Sequence, residues 1–142
     1  MQPAKEPAWV RRTGVALSTI AILFLLFDSS GKLLRVAPVV AGTASLGYPD
    51  GIIRTLGAVL LVSVTLYAIP PVSIVGALLL TGYLGGAIAS HARIASPLMT
   101  HVLFPVYVAT FVWGGLLLRD VRLRHLVAIQ WSRRGGKESR EV

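Results

Sequence analysis

The chain contains no cysteine among its 142 residues. That absence excludes disulfide exchange, thiolate catalysis, iron–sulfur ligation and cysteine-based zinc sites. Charge is also scarce: 14% of residues are charged and only six are acidic, whereas a soluble globular domain carries about 25%. Hydrophobic residues make up 54% of the chain. A sequence with so little polar surface points to the lipid bilayer as its solvent. No phosphate-binding loop is present, no nucleophile–base pair can be identified, and no paired intramembrane histidines suggest haem held between helices.

The charge that is present is basic and unevenly placed. The net charge is +8, and ten of the fourteen Lys and Arg residues lie outside the apolar region. Lys5, Arg11 and Arg12 precede it; Arg119, Arg122, Arg124, Arg133, Arg134, Lys137 and Arg140 follow it. Basic flanks on an apolar protein read as cytoplasmic anchors. Nucleic-acid binding is not expected, because no basic unit with interleaved aromatics occurs.

A helix crosses the hydrocarbon core with about 20 mostly apolar residues. Four segments qualify: residues 14–27, which must continue past Asp28, then 53–69, 72–90 and 102–118. Pro70-Pro71 stops the second and makes a tight hairpin, since neither residue has an N–H to continue a helix. The first segment, with Arg11-Arg12 before it, has the outline of a signal peptide. No small-x-small cleavage site follows it, and Asp28 stands where one would fall. The expected fold is therefore all-α: an integral membrane four-helix transmembrane bundle over residues 13–120, with a cytoplasmic segment 1–12 and a basic cytoplasmic tail 121–142. An even number of spans with basic ends predicts both termini in the cytoplasm. The long first loop carries Pro38 and Gly47, which predict a short interfacial helix between them.

Helices in lipid associate by close packing and polar contacts. Gly82, Gly86 and Ser90 recur every four residues, with Gly85 and Ala89 beside them. This stripe predicts helix packing, either inside the bundle, with a second copy, or against a ligand. Gly114-Gly115 is a second candidate. Tyr83 and Tyr107 are expected to find hydrogen-bond partners, and Trp9, Trp113 and Trp131 are candidates for interfacial anchoring.

Alternating traverses gather the polar residues at one rim. Asp28, Lys32, Tyr48, Asp50, Arg54, His91, Arg93 and His101 all fall at the same end of the bundle. Asp28 and Lys32 are spaced four apart in the favourable order for an ion pair. The candidate ligand-binding residues are Asp28, Lys32, Tyr48, Tyr83, His91, Arg93 and His101. His91 and His101 lack the HxxH or HxxxH spacing of a metal site, so no metal is expected. A histidine can donate to a quinone oxygen or carry a proton near neutral pH, and an arginine beside it can hold an anion or lipid headgroup.

The segments LLFDSSGKLL, LGYP, LYAIPP, GALLLTGYLGGAIASHAR and HVLFPVYVATFVWGGLLLRD together resemble the DoxX-like family of small bacterial four-helix membrane proteins. The resemblance covers about residues 14–120, and TGYLGGAIASHAR followed by HVLFPVY is its most specific part. It implies a four-helix transmembrane bundle in the bacterial cytoplasmic membrane. It also implies an association with quinone-linked oxidoreductases or membrane redox defence. Many members carry an acidic residue in the second helix after a Leu-Gly pair; here AVLLVS follows Leu56-Gly57. The expected function is a non-catalytic accessory or scaffold subunit of a membrane redox system, holding a quinone or lipid at its outer polar cluster. The alternative is a subunit that takes part in quinone chemistry, with electrons supplied by a partner. Small-molecule transport ranks third, because four helices leave little room for a pathway. The expected partners are the lipid bilayer and either another membrane protein or further copies of the chain.

Overall fold

The computed structural model describes residues 7–126 and Ile129. Trp131, the polar tail beyond it and Lys5 lie outside the described residues. Among the described residues the bundle is built by α1 (Ala8–Leu33), α2 (Ala37–Ser45), α3 (Asp50–Ala68), α4 (Ser73–Arg93) and α5 (Phe104–Arg119). Among the described residues there is no strand.

Four stretches are long and apolar enough to cross a membrane: Ala8–Leu33, Asp50–Ala68, Pro70–Arg93 and Leu98–Arg119. At 1.5 Å per residue, α1 is about 39 Å long, more than the hydrocarbon core of about 30 Å. It begins earlier and runs further than the apolar run 14–27 suggested, carrying Asp28 and Lys32 on helical backbone. The expected short helix in the first loop is α2, with Pro38 in its first turn. The fourth span opens with a π turn, Leu98–Val102, before α5.

The long helices form a ring. α1 packs on α3 and α5, α3 on α4, and α4 on α5, with α1 and α4 on the diagonal and making no close backbone approach to each other. Each helix buries one face. On α1 the buried positions Gly14, Ser18, Ala21, Leu25, Ser29 and Lys32 are spaced three and four apart as a single helical face requires, and Gly31 is buried as well, against Val39 of α2. Leu60, Val64 and Tyr67 of α3, Ala77, Leu80 and Leu84 of α4, and Val108, Val112 and Leu116 of α5 complete the core.

The closest approaches of backbone are made at Gly76, Gly14 and Gly115, of which the sequence singled out only the last. A Cβ on Gly76 would lie 2.1 Å from the Tyr67 nitrogen, so the α3–α4 hairpin closes backbone to backbone. A Cβ on Gly14 would lie 2.6 Å from Arg119 N, and one on Gly115 would lie 2.7 Å from Ser18 N. Gly115 therefore packs as expected of the Gly114-Gly115 pair. The stripe Gly82, Gly85 and Gly86 does not: a Cβ on any of them would meet nothing within 4 Å. Its reading as packing inside the bundle is corrected. The side of α4 that carries these glycines faces away from the backbones of α3 and α5, and the tight seams lie elsewhere.

Polar contacts bind the ring. Tyr67 is fully buried; its hydroxyl is 2.9 Å from Ser18 Oγ and donates to the Val112 carbonyl at 2.8 Å, tying α3 to α1 and α5. Trp113 donates to Thr81 Oγ1 at 2.9 Å across the α4–α5 seam, so this indole ties helices together. Trp9 is exposed, as an interfacial anchor would be. Tyr67→Phe leaves the Val112 carbonyl without its side-chain donor and should lower stability by about 1–2 kcal/mol, the range for interhelical hydrogen bonds in lipid. Thermal unfolding in detergent checks this.

Candidate functional site

All the expected rim residues lie at one end, and a cavity of about 460 Å³ opens there on the diagonal between α1 and α4. Its walls below are apolar: Phe24 and Leu25 of α1, Leu84 of α4, and Phe104 and Val108 of α5. Phe24 and Phe104 meet edge to face, with ring centroids 5.3 Å apart. α2 closes one side with Val39, Gly42 and Thr43.

The polar end is built from α1, the α2–α3 connection and α4. Lys32 donates to Asp28 Oδ2 at 2.5 Å within α1, so the pair expected from spacing forms. Both residues line the cavity. Lys32 is the more buried of the two, and its stem lies against Gly57, where an added Cβ would come within 2.9 Å of Lys32 Cβ. Pairing offsets the cost of an ammonium at membrane depth.

Tyr48 reaches in from the α2–α3 connection, with its hydroxyl 2.6 Å from Ser90 Oγ. Ser90 gives its own proton to the Gly86 carbonyl at 2.8 Å, so the Tyr48 hydroxyl donates to Ser90. The turn before Tyr48 depends on Gly47, whose φ is +85° and whose missing Cβ leaves room for Arg93. Arg93 does not line the cavity. It donates to the Leu46 carbonyl at 2.5 Å and holds the end of α2 in place.

Tyr83 and His91 complete the polar end on α4. The Tyr83 hydroxyl makes no hydrogen bond among the described residues, although it lies close enough to Asp28 and Tyr48 to feel them electrostatically. Neither does that of Tyr107, which faces outward. The bonded phenols are instead Tyr48 and Tyr67, and the expectation for Tyr83 and Tyr107 is corrected. His91 Nδ1 is 3.2 Å from Ser96 Oγ, which leaves Nε2 without a partner. His101 sits outside the cavity wall, with its ring centroid 5.6 Å from that of His91 and its Nδ1 2.8 Å from Thr100 Oγ1. Arg35 pairs with Asp50 on the rim. No group of three His, Asp or Glu residues converges as a metal site would require, among the described residues.

The helix ends at this rim are sharply turned. The Val36 N–H bonds to the Gly31 carbonyl and the Ser96 N–H to the His91 carbonyl, which is the six-residue closure of a Schellman motif. The αL positions are held by Arg35 and Ala95, at φ of 57° and 51°, in place of the usual glycine. Both α1 and α4 thus stop abruptly, and the residues just before the stops face one volume.

Cavity and residues together offer an apolar slot with hydrogen-bond donors at its polar end. Sequence reasoning found Asp28, Lys32, Tyr48, Tyr83 and His91. It missed Ser90 as a hydrogen-bond partner and the apolar walls, for which linear sequence gives no signal. Neither a curated protein nor a solved structure matches the chain. A family model, described as the DoxX-like family, matches residues 16–115. That match takes in part or all of each of the four crossings and every residue lining the cavity, and the chain belongs to the DoxX-like family.

Proposed function

We propose that this multi-pass membrane protein is a non-catalytic accessory subunit of a membrane redox system. It holds the headgroup of a quinone in the cavity between α1 and α4. One observation carries the reading: the Tyr83 hydroxyl and His91 Nε2, neither of them hydrogen-bonded among the described residues, belong to the polar end of an otherwise apolar cavity, and Nε2 is a donor in the tautomer whose Nδ1 accepts from Ser96. A volume of about 460 Å³ lies within the usual range for small-ligand sites, about 300–1,000 Å³. A quinone carbonyl accepts hydrogen bonds and its tail is apolar, which matches the donor set and the walls. The Asp28–Lys32 pair supplies a local ionic group beside the headgroup. When bound, a quinone supplies the electron-accepting chemistry; the chain itself binds and orients it. In this reading the electrons come from a partner protein. The basic end faces the cytoplasm of a bacterial cell, placing the cavity at the outer face of its inner membrane.

The test is purification of the full chain in detergent, followed by lipid extraction and an optical difference spectrum on reduction. Quinone should co-purify, and His91→Ala should lower its retention about tenfold, the effect of losing one hydrogen bond to the ligand. Wild-type protein free of quinone, but carrying a stable partner, would remove the headgroup role and leave the scaffold role. Reporter fusions test the orientation: a reporter active only outside the membrane should stay silent at the C-terminus.

A further inference from the structure

The opposite end of the bundle holds a second cavity, also of about 460 Å³, walled by Arg11 of α1, Arg119 and Arg122, and the Pro70-Pro71 turn with Ser73. Three arginines line one concave volume. Arg119 is held in place: it donates to the Tyr67 carbonyl at 2.8 Å and lies 4.7 Å over the Tyr67 ring. Arg11 and Arg122 have no carboxylate partner among the described residues. The single acid in the wall, Asp120, is already used, because its Oδ1 accepts from the backbone N–H groups of Arg122 and Leu123. Pro70 and Pro71 contribute no N–H, and Ser73 Oγ donates to the Pro70 carbonyl. Among the described residues the cavity wall therefore sets three arginines against one carboxylate, an excess of positive charge at the end of a membrane bundle, where lipid headgroups lie.

We infer that this cavity binds a phosphate group, carried by an anionic phospholipid. Arginine forks match the oxygens of a phosphate, and basic pockets between helix ends are the usual seat of anionic headgroups. Ordinary basic anchoring would spread charge around the helix ends. Here Arg11 faces the cavity, while its neighbour Arg12 is not part of the wall. The site is separate from the cavity between α1 and α4 and does not depend on it.

The experiment is native mass spectrometry of the full chain in detergent with added phosphatidylglycerol. Phosphatidylcholine is the neutral comparison and inorganic phosphate the free anion. Phosphatidylglycerol should be retained in preference to phosphatidylcholine. Arg11→Gln and Arg122→Gln should each lower that retention about fivefold, and the pair together about thirtyfold, as expected for basic residues at a membrane surface. Arg12→Gln should change it less than about twofold, within the ordinary range of a surface substitution. Arg11→Lys should restore most of the loss in Arg11→Gln, which a merely unstable variant would not explain. Displacement of the lipid by inorganic phosphate would assign the site to a free phosphate; no displacement assigns it to the headgroup. Equal retention of the two lipids, or a loss in Arg12→Gln as large as in Arg11→Gln, would overturn the inference.

Discussion

Gly76→Ala is expected to be the most damaging single-methyl substitution in this protein. The added Cβ would fall 2.1 Å from Tyr67 N and 2.4 Å from Tyr67 Cα. Both are backbone atoms with no rotamer through which to escape. The α3–α4 hairpin must therefore spread, and Tyr67 moves with it. Its bonds to Ser18 and Val112, and the Arg119 bond to its carbonyl, are made from the same residue. The cost should reach about 3 kcal/mol or more, at the upper end of overpacking effects. Gly82→Ala is the comparison. Its Cβ meets nothing within 4 Å, so the gain in helix propensity should leave stability unchanged or raise it by about 0.5–1 kcal/mol. Thermal melts of both variants in one detergent decide the matter. Equal melting temperatures would refute the close approach of α3 and α4 at Gly76.

The second large effect concerns ligand capture. Gly86 lines the cavity between α1 and α4, and its Cβ position is open. A helical side chain leans toward the preceding turn, so a leucine at 86 would extend over Gly82 and Tyr83, which also line the cavity. Gly86→Leu should therefore fill the slot without disturbing the core. Retention of quinone should fall by about a hundredfold, equivalent to about 2.7 kcal/mol, while the melting temperature stays within a degree or two of wild type, as for a surface substitution without strain. A variant that melts normally and keeps its quinone would place the ligand elsewhere. The contrast with His91→Ala is informative, since that change removes a donor and leaves the volume open.

The Gly82–Gly86 stripe shows why sequence alone misjudged packing. Regular spacing of small residues marks a helix face on which something can approach closely. It does not say whether that thing is a neighbouring helix, another molecule or nothing. The tight seams of this bundle use Gly14 with Ser18 on α1, Gly115 on α5 and an isolated Gly76 on α4. Gly76 belongs to no pattern, and its importance comes from the Pro70-Pro71 turn that folds α4 back onto α3. The place of Arg93 also depends on the fold, which leaves it outside the cavity wall. Its charge suggested an anion or headgroup, but the turn at Gly47 gave it a backbone carbonyl to bond.

What the sequence determined by itself was the solvent and the layout. Apolar runs long enough for lipid, proline stops, and basic ends dictated four crossings, because hydropathy and the obligation to satisfy backbone hydrogen bonds act locally. Alternating crossings then forced Asp28, Lys32, Tyr48, His91 and His101 to one rim, and the four-residue spacing of Asp28 and Lys32 produced their pair. The tertiary structure alone decided which of these residues share a cavity. The diagonal separation of α1 and α4 opened it, α2 covered it, and His101 and Arg93 were left outside. It alone also drew Arg11, Arg119 and Arg122 around one volume. Such selections depend on crossing geometry and close backbone contact between segments distant in the chain, and no local pattern encodes them.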